Sequence, residues 1–176
     1  MPSIWHNTTD VDLSAMSQDF KSWVLHEGSM TARLKNTCHN FDVAVLRHEW
    51  SEAEPQDLKL LNLKNKKVIV RDVILSCNHT PWIFARAIFP EALVVAMGED
   101  IVHLGKRPLG ELLFSQKNTQ RSKFQLAELK KDDEFFQKAK DASEQTSEKM
   151  WARRSIFHLL QGSLLLTEVF LPQFLN

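Results

Sequence analysis

The sequence predicts a single α+β domain built on an antiparallel sheet. Two observations carry this. Lys67–Cys77 is rich in Val and Ile, and the turn residues Asn78-His79-Thr80-Pro81 separate it from a second apolar strand at 82–89. Strands at 153–160 and 164–171 repeat the pattern across Gln161-Gly162-Ser163. Two hairpins with helical segments gathered before and between them make an antiparallel α+β domain. The length of 176 residues fits one domain and buries a core without metals or disulfides.

The helical signals come first along the chain. Leu13, Met16, Phe20, Trp23 and Val24 recur at three- and four-residue steps, which predicts a helix over 11–27. Asp10 or Asp12 would cap its start and Gly28 its end. Ser29 is placed to cap a short helix over 30–35. Phe41, Val43 and Val45 alternate, a strand signal. The polar stretch 51–58 carries Pro55 and is expected to be a connection. Pro90 ends the strand before it, 91–104 fits helix or loop, Gly105-Lys106-Arg107-Pro108 is a turn, and 109–114 opens a short helix. Residues 118–150 are charged and free of Gly and Pro, and are expected to form an exposed helix with a mobile part near 143–149.

Composition excludes several functions. Lys plus Arg number 22 and so do Asp plus Glu, so there is no basic excess to displace counterions from a nucleic acid. The first ten residues show neither a basic start nor an apolar run, and no stretch reaches the ~20 residues of a membrane span. A cytoplasmic, monomeric protein is expected. Cys38 and Cys77 lack the spacing of a zinc or redox motif and are expected to be free thiols. The seven histidines are scattered, so no metal site is expected.

Two charges stand out. On the strand Lys67–Cys77, Ile69, Arg71, Val73 and Leu75 share a face, and Arg71 is its only charge. On the last strand, Leu164, Leu166, Glu168 and Phe170 share a face, with Glu168 its only charge. A lone buried charge is costly unless paired. Arg71 and Glu168 therefore either pair with each other, snorkel to water, or mark a polar spot in an apolar ligand pocket. Periodicity does not choose between these, and it does not name a ligand.

Four segments, in order, carry a family resemblance. They are Trp23-Val24-Leu25-His26-Glu27-Gly28-Ser29-Met30-Thr31-Ala32-Arg33-Leu34; Val70-Arg71-Asp72-Val73-Ile74-Leu75 followed by Pro81-Trp82; Leu104-Gly105-Lys106-Arg107-Pro108-Leu109-Gly110 with Leu113-Phe114; and Trp151-Ala152-Arg153-Arg154-Ser155 followed by Leu164-Leu165-Leu166-Thr167-Glu168-Val169-Phe170-Leu171-Pro172. Together they resemble the chorismate pyruvate-lyase family of the ubiquinone pathway. The resemblance implies a sheet of about six strands, helical flaps over a buried site, and neither metal nor organic cofactor. It implies that chorismate is the substrate, and 4-hydroxybenzoate and pyruvate the products. It puts ligand contacts on Met30 (through its backbone), Arg71, Leu109 and Glu168, with Arg71 and Glu168 as the catalytic pair. Without the resemblance, Met30 and Leu109 would be taken as core residues.

Arg71 would grip the ring carboxylate. Glu168 would meet the C4 hydroxyl end, either ionised or neutral. Arg86, Lys106 and Arg153 are candidates for the enolpyruvyl carboxylate, but for any one of them a surface or strand-edge place is the better expectation. The chain departs from the family in a longer 125–150 segment and in Gln161-Gly162-Ser163, where Gly-Lys-Pro is usual. The rival function is an aromatic-acid sensor or carrier of the same fold, which would bind without releasing pyruvate.

Overall fold

The computed structural model describes residues 3–145 and 147–174. In chain order its elements are β1 (His6–Asn7), α1 (Gln18–Val24), α2 (Met30–Thr37), β2 (Phe41–Glu52), α3 (Pro55–Leu60), β3 (Lys67–Cys77), β4 (Thr80–Pro90), α4 (Glu91–Met97), α5 (Glu99–Val102), α6 (Leu109–Ser115), β5 (Gln120–Arg121), β6 (Gln125–Lys130), α7 (Glu134–Ser143), β7 (Lys149–Leu159) and β8 (Gly162–Phe170). The described strands form one antiparallel sheet in the order β1-β6-β7-β8-β4-β3-β2, with β5 added along β7. Six of the eight strands are long, and the other two have two residues each. The α+β class and the two hairpins thus stand as expected.

Helices cover both faces of this sheet. On the first face, α1 and α2 pack Phe20, Trp23, Val24 and Leu34 against Val73, Leu75 and Phe170. Beside them α4, α5 and α6 pack Leu93, Ile101, Leu109 and Leu113 against Ile69, Ala87 and Phe157. On the second face, α7 lays Phe136 and Ala139 on Ile74, Phe84 and Val169, while Leu58 and Leu60 of α3 pack near Val70 and Ile88. Strands buried on both faces lose strict alternation, because each side chain meets a helix layer. This is why β3 reads as nearly continuous Val and Ile, and why its charges, Arg71 and Asp72, are conspicuous.

Several expectations need correction. The first helix spans Gln18–Val24; Ser17, whose side chain accepts Phe20 N–H, caps its start, and Leu25 rather than Gly28 caps its end. Upstream, Asp12 accepts Ser14 N–H in a local turn that competes with helix. Pro55 does not open a loop; it stands at the first position of α3, where its missing N–H costs nothing. Residues 118–150 are not an exposed helix. They hold β5, β6 and only one helix, with Leu126, Ala127, Leu129 and Phe136 buried. Glu128 and Lys130 of β6 point to water, which gave the segment its charged look. The expected mobile stretch 143–149 includes position 146, which lies outside the described residues. Cys38 and Cys77 are not free thiols. They are joined as a disulfide, with Cα atoms 5.5 Å apart, that ties the end of α2 to the end of β3. Spacing along the chain misses this pair because they stand 39 positions apart and only the fold brings them together. No helix among the described residues is long and apolar enough to cross a membrane.

Candidate functional site

A cavity lies at the seam of the two core clusters on the first face. Its floor is the sheet, where Val43, Arg71, Val73, Leu75, Ala85, Ala87, Leu166 and Glu168 line it. Its roof comes from α2 and α6, through Met30, Thr31, Leu109, Gly110 and Leu113. Register explains why space exists there. Arg71 pairs with Ala87, and Ala85 pairs with Glu168, so two alanines of β4 lie between the two charges. Their methyl groups leave room where larger side chains would fill the gap. Arg71 and Glu168 stand two strands apart, about 10 Å across the sheet.

The two charges do not pair with each other. Arg71, 2% exposed, donates through Nη2 to the carbonyls of Gly105 and Arg107, both at 3.1 Å. It thereby fastens the loop leading into α6. Its buried Nε has no partner among the described residues. Burial lowers the Arg71 pKa to about 10, which leaves it charged at neutral pH.

Glu168, 4% exposed, is held from behind by two arginines. Arg153 Nε donates to its Oε2 at 2.6 Å, and Arg121 Nη2 to the same oxygen at 3.1 Å. Burial alone would push the carboxyl up, but the two guanidinium charges and their hydrogen bonds outweigh it. Glu168 therefore titrates below the ordinary glutamate range and is ionised at neutral pH. This decides between the two protonation states that the sequence leaves open.

Arg153 is fully buried and commits its Nη1 to the carbonyls of Val24 and His26, at 3.0 and 2.7 Å. Val24 is the last residue of α1 and His26 lies just beyond it, where a cation also complements the helix dipole. Arg121 sits on β5, which runs along the outer part of β7. Its Nε donates to Ser155 Oγ at 2.8 Å, and its guanidinium stacks on Phe124 and Phe157. Unlike Arg153, Arg121 lines the cavity.

A family model described as chorismate lyase matches residues 2–176. The chain belongs to the chorismate lyase family. A protein of Shewanella sp. (strain ANA-3) named "Probable chorismate pyruvate-lyase" is 35% identical over 156 residues, covering 89% of this chain and 81% of its own length. One of the same name from Nitrosomonas eutropha is 34% identical over 172 residues, 97% of this chain and 94% of that one. Among solved structures, the effector domain of PhnF from Mycobacterium smegmatis superposes with a TM-score of 0.63 at 8% identity, over 83% of this chain and 90% of that one. The ligand-binding domain of a GntR-family regulator from Bordetella bronchiseptica gives 0.56 at 13% identity, over 75% and 83%. At such identities these two likenesses concern the fold alone.

Within this chorismate lyase chain, Met30, Arg71, Leu109 and Glu168 all line this same cavity. The three expected second cations fare differently. Arg86 lies on the opposite face of the sheet, held by Asp72 through two hydrogen bonds of 2.7 Å. Lys106 is exposed and faces Asp42 at 3.7 Å. Arg153 is close but faces Glu168 and the end of α1. Sequence reasoning missed Arg121, which stands in a short polar stretch without periodicity. The available signal was indirect: a glutamate on an apolar strand needs a cation, and two were in reach.

Proposed function

We propose that this protein eliminates pyruvate from chorismate to leave 4-hydroxybenzoate, the first committed step of ubiquinone synthesis. The family match over residues 2–176 supports the activity. The observation that carries the site is an apolar slot with a guanidinium at one end and a carboxylate at the other. That suits a six-membered ring bearing a carboxylate at C1 and a hydroxyl at C4.

In this reading Arg71 binds the ring carboxylate. An unpaired buried donor costs about 1–3 kcal/mol, and a carboxylate that takes Arg71 Nε removes that cost. A bidentate grip through Nε and Nη2, with Nη2 releasing one of its two carbonyls, also fixes the ring's orientation. Ionised Glu168 meets the C4 end. It accepts a hydrogen bond from the hydroxyl or takes the C4 proton, and both uses need its negative charge. The atoms balance without an oxidant. C4 loses a proton and the C3–O bond breaks. The C4–H electron pair becomes a ring double bond, and the C3–O pair leaves with the enolpyruvate. That fragment gains a proton on its methylene carbon and becomes pyruvate. Aromatisation drives the reaction, so the protein's work is positioning and charge.

Met30 and Leu109 close the slot from above and keep it dry. The protein acts in this reading as a cytoplasmic monomer. Purified protein mixed with chorismate should release pyruvate and 4-hydroxybenzoate in equal amounts, followed by a pyruvate-specific coupled assay. Binding of chorismate without pyruvate release points instead to a sensor or carrier.

A further inference from the structure

Chorismate has a second carboxylate, on the enolpyruvyl ether at C3. That carbon is the neighbour of C4, so the cation that meets this group must stand beside the residue that meets the C4 hydroxyl. Resting on the lyase reading above, we propose that Arg121 is that cation: it binds the enolpyruvyl carboxylate and stabilises the charge that develops on the departing enolpyruvate.

Three observations carry this. Arg121 lines the cavity, and its Nη2 lies 3.1 Å from Glu168 Oε2, next to the place where C4 would sit. Its other hydrogen bonds are lighter commitments than those of Arg153. Nε donates to Ser155 Oγ at 2.8 Å and Nη1 reaches Glu27 O only at 3.4 Å. Arg153, by contrast, is fully buried and does not line the cavity: its Nε is held by Glu168 and its Nη1 by the carbonyls of Val24 and His26, and its Nη2, which has no partner among the described residues, is enclosed away from the slot. The stacking of Arg121 on Phe124 and Phe157, with 4.4 and 4.7 Å to the ring centres, holds the guanidinium plane in place without using its donors.

The arrangement also divides labour. Arg153 makes the shorter of the two contacts to Glu168 Oε2, 2.6 Å against 3.1 Å, so Arg121 can exchange part of its own contact for the incoming carboxylate. The substrate's leaving group is thereby read by a residue that the product does not need. This asymmetry separates a substrate-binding role from a merely structural one.

The test compares Arg121→Gln with the wild type, reading pyruvate release from chorismate and equilibrium binding of 4-hydroxybenzoate by tryptophan fluorescence. Chorismate kcat/KM should fall about 100-fold, as for loss of one positioned donor to developing negative charge. Affinity for 4-hydroxybenzoate should stay within about threefold, because the product has no group for Arg121 to meet. Arg121→Lys keeps a charge and should recover part of the loss; should the glutamine variant fail to fold, the same ratio is read on the lysine variant. Unchanged chorismate efficiency, or equal losses for chorismate and 4-hydroxybenzoate, would overturn the assignment and leave Arg121 as a support for Glu168. A wild type that releases no pyruvate overturns the lyase reading and this inference with it.

Discussion

At the scale of the residue, the site depends on how two buried charges are compensated. Arg71 is held by backbone carbonyls that carry no formal charge, so it keeps its attraction for an anion. Arg71→Lys retains the charge but loses the planar fork. It should lower kcat/KM about 10- to 100-fold while the protein stays folded; near-normal kinetics would rule out the bidentate grip. Glu168→Gln removes the negative charge and nearly preserves the shape. Turnover should fall about 100-fold with little change in KM. Because Arg153 and Arg121 hold the Glu168 pKa below its ordinary value, the carboxylate stays charged as pH falls. The rate profile should therefore remain level from neutral pH down to about 5, with its acid limb below the ordinary glutamate value. The same shift contributes stability that is fully present above the unfolded-state pKa and lost as pH falls through the folded one. Arg71 and Glu168 were legible in the sequence because each is the only charge on one face of an apolar strand. Arg121 was not, because β5 has two residues and shows no period.

At the scale of the element, the roof of the cavity is set by a close contact between α2 and α6. A Cβ on Gly110 would lie 2.7 Å from Ser29 Oγ, the side chain that caps α2, and 3.3 Å from Thr31 Oγ1. Only glycine lets α6 approach this near. The free space beneath is about 50 Å³. In the lyase reading the two helices part to admit the ring and to release the product. Gly110→Ala should hold them apart. We expect faster dissociation of 4-hydroxybenzoate in stopped-flow fluorescence and a stability loss of about 1–3 kcal/mol; slower release would contradict this account of the roof. The family resemblance implied such flaps, and Gly105-Lys106-Arg107-Pro108 marked the turn before α6. Of the longer 125–150 segment, α7 packs on the opposite face of the sheet from this roof, on Ile74, Phe84 and Val169.

At the scale of the whole molecule, the buried ion pair ties function to stability. Arg153 links Glu168 of β8 to carbonyls at the end of α1, so one guanidinium joins the sheet to the helix layer. Arg153→Met would leave a buried carboxylate with one partner and uncap α1. It should destabilise the protein by about 3–5 kcal/mol, read as a lower urea midpoint at unchanged slope. The broad architecture was legible because long, buried strands announce themselves. The covering of both sheet faces, the β6 strand and the Cys38–Cys77 link were not, because each depends on contacts between segments far apart in sequence. The account makes one central claim, that the slot between Arg71 and Glu168 is where the ring lies. A crystal structure of the 4-hydroxybenzoate complex tests it most directly. The account predicts the carboxylate on Arg71 and the hydroxyl within hydrogen-bond distance of Glu168, above Ala85 and Ala87. A ligand bound in the reverse orientation, or outside this slot, would contradict it.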